Sequence, residues 1–294
     1  MNSLDITITG FGMINPVGVG AMACAAAVRA GINQYADSAL VRSTGEPYKV
    51  ALVPEQCLPE LNSDDPASKS RSHNNALYRR MLQLGKVALT EACEAANIKA
   101  AIPIFLATPE QRCGRPFPAL EPILKDLTSE VDFSIDLLTS RVFPLGRAAG
   151  MNAMEEAVNL LLTTPLESII VGGVDSFLDV MLLSALDAED RLTSSTTMRG
   201  FVPGEGAAFV VLQKTAEPGV VIGQPVTGEE PGHYYSDDVC LGDGLSSAVN
   251  GAVTNIKSPI QTVLCSMNGE PPHVKEWGTS QVRNSQAFGD NLNL

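Results

Sequence analysis

Apolar and polar positions along the chain alternate between two periods, and the alternation predicts an α/β protein. Residues 5–10 carry β-branched side chains and end in glycine, which reads as a strand. A glycine-rich turn over 10–18 follows, then an alanine-rich helix over 21–31 closed by a glycine. Residues 62–75 are polar and read as a loop. From 76 to 98 the apolar positions Leu77, Met81, Leu82, Leu84, Val87, Ala88 and Leu89 recur at helical spacing. A short buried strand is expected over 102–107, irregular chain over 108–118, a helix over 120–127, and an acidic edge segment over 130–138. A strong helix spans 148–162, with Pro165 limiting its far end. Residues 169–171 and 207–212 are continuous apolar runs, the kind buried on both faces of a largely parallel sheet. Residues 218–244 are rich in Gly, Pro, Asp and Glu and read as a junction. A helix over 243–256 and a strand over 260–266 complete the pattern, and strand–helix alternation of this kind gives the α/β class.

Composition narrows the function classes. The 294 residues are 45% hydrophobic and 18% charged, enough for a substantial core, and the formal net charge is −13. That balance argues against nucleic-acid binding, which needs a basic patch. The one basic concentration, from Lys69 to Arg80, reads as a solvated helix face. The six cysteines stand singly, with Cys24, Cys93 and Cys265 in small or apolar surroundings that suit core positions. His73, His233 and His273 have no ligand-like spacing from one another or from cysteine, so neither a metal nor a cofactor is expected. His273, after two prolines, reads as a surface-loop residue. Gly10, Gly12 and Gly18 lack dinucleotide-binding spacing. With no leader and no membrane-length apolar run, the reading is cytoplasmic, without membrane contact.

The stretch 166–214 is the most informative. It contains Gly172-Gly173-Val174-Asp175-Ser176 after an apolar run, then Gly200-Phe201-Val202-Pro203-Gly204-Glu205-Gly206 leading into the strand Phe209-Val210-Val211-Leu212. Together these resemble the β-ketoacyl synthases of the thiolase superfamily. The resemblance implies a thiolase-like layered fold of two related halves, residues 1–215 and an incomplete 216–294. It also implies that Gly10 and Gly12 serve backbone packing. Where the family pattern has its nucleophilic cysteine, this chain has Arg147. Where it has a His-Gly motif after a strand, Asn268-Gly269 fits best in this chain, and a one-residue slip would put Met267 there; neither is a histidine. The second family histidine has no counterpart. Condensation needs a thiolate at a helix N-terminus and imidazoles that stabilise the developing oxyanion, so the resemblance implies a non-enzyme with degenerate positions Arg147 and Asn268. Cys265, three residues before the degenerate motif, reads as a core thiol rather than a substitute nucleophile.

Among the charged residues, Glu205 is expected to be a buried carboxylate accepting backbone hydrogen bonds. Asp187, Glu189 and Asp190 are expected to pair with Arg191. The single tryptophan, Trp277, is an amphipathic ring that suits either an interface anchor for a partner or a partly buried core position. Residues 142–150, 172–176, and 267–270 with 276–278 also resemble the ketoacyl-synthase-like companions of type VI secretion cargo. That resemblance implies an adaptor or chaperone whose partner is a protein such as a secreted effector or PAAR-type cargo. A non-condensing partner subunit of a ketoacyl synthase is the alternative, and homodimerisation is open to either.

Overall fold

The structure, a computed structural model, describes residues 5–111, 121–215, 217 and 219–293. The chain packs as two compact units. The larger comprises Met1–Glu189 and Val202–Ile222, and the smaller Asp190–Phe201 and Gly223–Leu294. The boundary differs from the expected break after residue 215, because the strand at 220–221 joins the larger unit and a loop at 190–201 joins the smaller.

In the larger unit the strands are β1 (Asp5–Asn15), β2 (Gly18–Val19), β3 (Tyr35–Val41), β4 (Pro47–Ala51), β5 (Ile104–Ala107), β6 (Arg141–Phe143), β7 (Ser168–Ser176), β8 (Glu205–Thr215) and β9 (Val220–Val221). The helices are α1 (Ala21–Arg29), α2 (Pro66–Asn74), α3 (Ala76–Ala95), α4 (Glu121–Thr128), α5 (Ala149–Thr163) and α6 (Val180–Ala188). The main sheet runs β2-β1-β8-β7-β5-β6, with β9 also on β1. It is mixed rather than largely parallel. β8 is antiparallel to both β1 and β7, while β7, β5 and β6 are parallel. The apolar runs report burial on two faces, which both strand directions share; they carry no information on direction.

That double burial is explicit. Alternate residues of β5, Ile104 and Leu106, pack on α3, and Phe105 and Ala107 pack on α5. The same alternation divides β7, with Ile170 and Val174 facing α3 and Ile169 and Val171 facing α5. Helix α3 begins at Asn75, whose side chain accepts from the Tyr78 amide at 2.9 Å. Its Ala88 and Ala92 admit β1 closely: a side chain at Gly12 would stand 2.1 Å from the Ala88 carbonyl, and one at Gly10 2.4 Å from that of Ala92. These glycines are packing residues, as the resemblance implied. β1 also continues through them to Asn15, with a bulge between Ile8 and Gly10, so the expected turn over 10–18 shrinks to the β1–β2 hairpin.

Other expectations are corrected. Most of residues 62–75 is helix α2, started by Pro66 and by the Asp65 side chain, which accepts from the Ala67 amide. Its Arg71 is no solvated charge: it forks onto buried Asp126 at 2.7 and 2.5 Å, where the Tyr78 hydroxyl also donates. Residues 130–138 are turns with one isolated bridge from Ile135 to Ile102, not an edge strand. Glu130 is turned inward by the amides of Asn62 and Ser63 and by Lys86. Asp187 pairs with Arg42, not Arg191. Residues 112–118, within the expected irregular stretch, and Cys113 lie outside the described residues.

The smaller unit holds α7 (Asp243–Val253), β10 (Ile260–Thr262), α8 (Pro271–Arg283) and β11 (Phe288–Asn293). β10 and β11 form a two-stranded parallel sheet. The strand expected over 260–266 is therefore short. Among the described residues β10 pairs with β11 alone, and its continuation is uncovered: Leu264 is 95% exposed and Cys265 is exposed rather than in a core.

Candidate functional site

The N-terminal end of α5 meets the sheet where three local constraints coincide. Gly172 lies under the Phe209 ring, and a Cβ there would stand 2.2 Å from a ring carbon. Gly173 approaches Ala107 less tightly, its Cβ position 3.0 Å from the alanine methyl. The double glycine thus removes side chains from β7 where α5 begins. The chain leaving β6 turns through Gly146, at φ +58°, a conformation that suits glycine. The Gly146 amide donates to the Thr108 carbonyl at 3.1 Å. Residues Gly146–Ala148 then form one 3₁₀ turn that feeds into α5.

The outcome is a cavity of about 580 Å³ within the larger unit, a size that suits small ligands. Its walls are mostly apolar, from Met13, Met151, Met154, Val174 and Phe209, and Arg147, Thr108 and Asp175 supply polar groups. Arg147 occupies the 3₁₀ turn, exposed, just before the first residue of α5, where a cation opposes the helix dipole. Thr108 is 3% exposed, and its hydroxyl has no hydrogen-bond partner among the described residues. Glu205 opens β8 immediately before cavity-lining Gly206. Its carboxylate is buried as expected, accepting from the Val53 amide at 2.8 Å and from Ser176 Oγ at 3.0 Å. The fork from Arg80 at 2.6 and 2.7 Å was not legible in the sequence, 125 residues apart.

Among the described residues, the two buried thiols of the larger unit, Cys24 and Cys93, have no nucleophilic setting. Burial pushes the Cys93 thiol up to about 11. Cys24 is also raised, by burial first and by the nearby Glu91 carboxylate, against a lowering backbone hydrogen bond at Asn15, and its thiol donates to the Gly18 carbonyl at 3.2 Å. A reactive cysteine needs the opposite shift. Among the described residues, no group of three His, Cys, Asp or Glu could hold a metal ion, and no helix is long and apolar enough to cross a membrane.

Asn268 and Trp277 belong to the smaller unit. Asn268 is a local brace: its Nδ2 donates to Glu270 Oε2 at 2.8 Å, and its Oδ1 accepts from the Glu270 amide at 3.2 Å. Glu270, at the N-cap of α8, is the hub. Arg191 forks onto it at 2.7 and 3.2 Å, and His273 Nε2 lies 3.5 Å from Oε2. His273 is therefore in the first turn of α8 and partly buried, not on a surface loop. Burial alone would raise the Glu270 pKa. Hydrogen bonds from His273, Arg191 and Asn268 and the Arg191 charge outweigh it and hold the carboxyl well below the usual range. Trp277 is 8% exposed and packs edge-on against Phe288, ring centroids 5.8 Å apart. It is a core ring of its unit, so an exposed interface anchor is not what this side chain provides.

A profile described as "Beta-ketoacyl synthase, N-terminal domain" matches residues 147–217. No curated protein matches the chain. Among solved structures, one of AntDE:AntF, a type II PKS acyl-carrier protein in complex with its ketosynthase, superposes with a TM-score of 0.71 at 14% identity, over 99% of this chain and 79% of that one. The ishigamide ketosynthase/chain length factor gives 0.69 at 16%, again over 99% and 79%. The ketosynthase from module 6 of the bacillaene synthase from Bacillus subtilis 168 gives 0.66 at 14%, over 97% of this chain and 55% of that one. At such identities the likeness establishes architecture: the chain has a ketosynthase-type, thiolase-like α/β fold.

Proposed function

We propose that this chain is a non-condensing, ketosynthase-like binding protein whose ligand is another protein. The observation that carries the reading is Arg147 on the turn before α5, at the wall of the apolar cavity. A guanidinium has no lone pair to offer a thioester carbonyl at any working pH. Asn268 supports the same reading, because its amide is engaged in bracing Glu270 and cannot accept or donate a proton as an imidazole would. In this reading the fold supplies surface rather than chemistry. An adaptor or chaperone in the cytoplasm is its specific form, and the resemblance of residues 142–150, 172–176, and 267–270 with 276–278 favours a secreted effector or PAAR-type cargo as the partner.

The cavity favours one second reading. Its apolar walls and the unpartnered Thr108 hydroxyl suit an aliphatic ligand with one polar group. A non-condensing partner subunit that accommodates an acyl chain, without a covalent bond to it, would use these features.

Intact-mass analysis after incubation with acyl-CoA, acyl carrier protein thioesters and malonyl thioesters tests the non-condensing reading. No adduct and no decarboxylation are expected. Arg147→Cys is expected to remain inactive in condensation, since a thiolate alone leaves the oxyanion unstabilised. A stable adduct on the native chain that disappears with Cys265→Ser, or condensation by Arg147→Cys, would overturn it.

A further inference from the structure

The smaller unit presents a second built surface, far in sequence from the cavity. Residues 229–244 contain five carboxylates and neither lysine nor arginine. The loop is closed rather than loose. Glu230 accepts from the amides of Leu241 at 3.2 Å and Gly244 at 3.0 Å, drawing its ends together. Gly232 meets the opposite strand of the loop so closely that a Cβ would stand 2.3 Å from the Cys240 nitrogen. Within it, the Tyr235 amide donates to His233 Nδ1, and Ser236 bonds back to the His233 carbonyl.

This frame holds two tyrosines outward. Tyr234 and Tyr235 are 46% and 52% exposed, with centroids 5.1 Å apart in an edge-to-face pair. Buried Arg191 supports both: its guanidinium carbon lies 4.4 Å from the Tyr234 centroid, and Nη1 donates to the Tyr235 hydroxyl at 2.6 Å. Ring orientation is therefore settled before any partner arrives, which lowers the ordering cost of binding. Val239 and Leu241, 71% and 55% exposed, add apolar area on the same loop.

Charge decides what the surface fits. Glu230 is used in closing the loop, Asp243 pairs with Arg283 at 2.5 Å, and the Arg191 charge is balanced by Glu270. Glu229, Asp237 and Asp238 are exposed on the same loop as the aromatic pair. Exposed tyrosine faces attract guanidinium groups, and carboxylates beside them strengthen the preference. A second copy of this chain would meet the loop with a net charge of −13 of its own.

We propose that residues 229–241 form a docking surface for an arginine-bearing segment of a partner protein, its guanidinium groups on the tyrosine pair and its apolar side chains on Val239 and Leu241. The proposal rests on the partner-binding reading above and specifies the chemistry of that partner.

The test uses the full chain and a fluorescein-labelled peptide of alternating arginine and leucine, with a glutamate-for-arginine peptide as comparison, read by fluorescence anisotropy over a salt series. The native chain is expected to bind the arginine peptide and not the glutamate one. Tyr234→Ala, Val239→Ser and the pair Asp237→Asn/Asp238→Asn should each weaken binding about tenfold or more, with the aspartate pair also flattening the salt dependence. Asp64→Asn/Asp132→Asn removes equal charge from exposed positions of the larger unit and should leave affinity unchanged. Equal weakening by this control pair, no binding of the arginine peptide, or equal binding of both peptides would overturn the proposal. So would a concentration-dependent dimer abolished by Tyr234→Ala, which would give the loop to self-association. Acyl transfer in the mass assay would instead remove the non-condensing reading, an outcome independent of the anisotropy result.

Discussion

Replacing Glu205 with leucine is expected to cost the larger unit about 3–5 kcal/mol, the range for breaking a buried ion pair from one side. The Glu205 side chain is fully buried and that of Arg80 is 17% exposed. The carboxylate accepts from Arg80 Nε and Nη2, from the Val53 amide and from Ser176 Oγ, at 2.6 to 3.0 Å. In the variant, Arg80 keeps the Val53 carbonyl and Glu55 at 2.7 Å, but Glu55 is 71% exposed and its attraction is screened. The Val53 amide, on a residue 1% exposed, loses its acceptor outright. Urea denaturation followed by far-UV circular dichroism should report the loss. Hydrogen exchange at the Val53 amide should accelerate more than at core amides of α3. Arg80→Leu/Glu205→Leu removes both charges and should be more stable than Glu205→Leu alone. A single-variant cost below about 1 kcal/mol, or a double variant that merely sums the two single losses, would refute the claim that the pair is coupled and desolvated.

The smaller unit yields two further expectations. Glu270 titrates below its usual range when folded, so its contribution is complete above the unfolded value of about 4.3 and is lost as pH falls below that value. Fluorescence of Trp277, the single tryptophan and a residue of the same helix, should therefore change on acidification below pH about 4, and Glu270→Gln should remove that dependence along with part of the unit's stability. An identical acid profile in Glu270→Gln would show that the hub does not govern the unit. Trp277→Ala should destabilise the smaller unit by about 3–5 kcal/mol, because it empties a buried site against Phe288; unchanged urea stability would show that the ring packs loosely.

How much of this was legible follows from the range of each signal. The face alternation of β5 and β7 and the helical spacing of α3 are local, and the sequence pattern carries them directly. Helix α2 has no apolar period to read, since its residues are Pro-Ala-Ser-Lys-Ser-Arg-Ser-His-Asn. What holds it is a cap at Asp65 and the Arg71–Asp126 fork, whose partners are 55 residues apart. The hub on Glu270 joins residues 79 apart, so Arg191 was assigned to its sequence neighbours instead. The start of α5, expected at 148, lies at Ala149, because its apolar period is local; that Arg147 stands just ahead of it is what the family resemblance implied. The cavity beside it is not a sequence feature at all: its lining comes from β1, β5, β7, β8 and the start of α5, brought together once β7 is paired with β8 in register from Ser168–Gln213 to Ser176–Glu205. Direction of β8 was misread because burial on two faces looks the same in either orientation.

These ranges also bear on how such a turn can hold different side chains. Its course is set by groups on either side of residue 147: the Thr108 carbonyl holding the Gly146 amide, the positive φ of Gly146, and Ala149, which is wholly buried at the start of α5. None of those constraints specifies the side chain of residue 147, which is exposed. A fold built this way separates the requirements of architecture from those of chemistry. The first are met by glycines and small residues whose replacement would force backbone apart, as the 2.2 Å approach at Gly172 shows. The second would rest on one side chain whose exchange leaves the packing in place. Persistence of the cavity is then no evidence for persistence of a reaction, since the same glycines that shape it are needed to pair β7 with β8 and to seat α5 on the sheet.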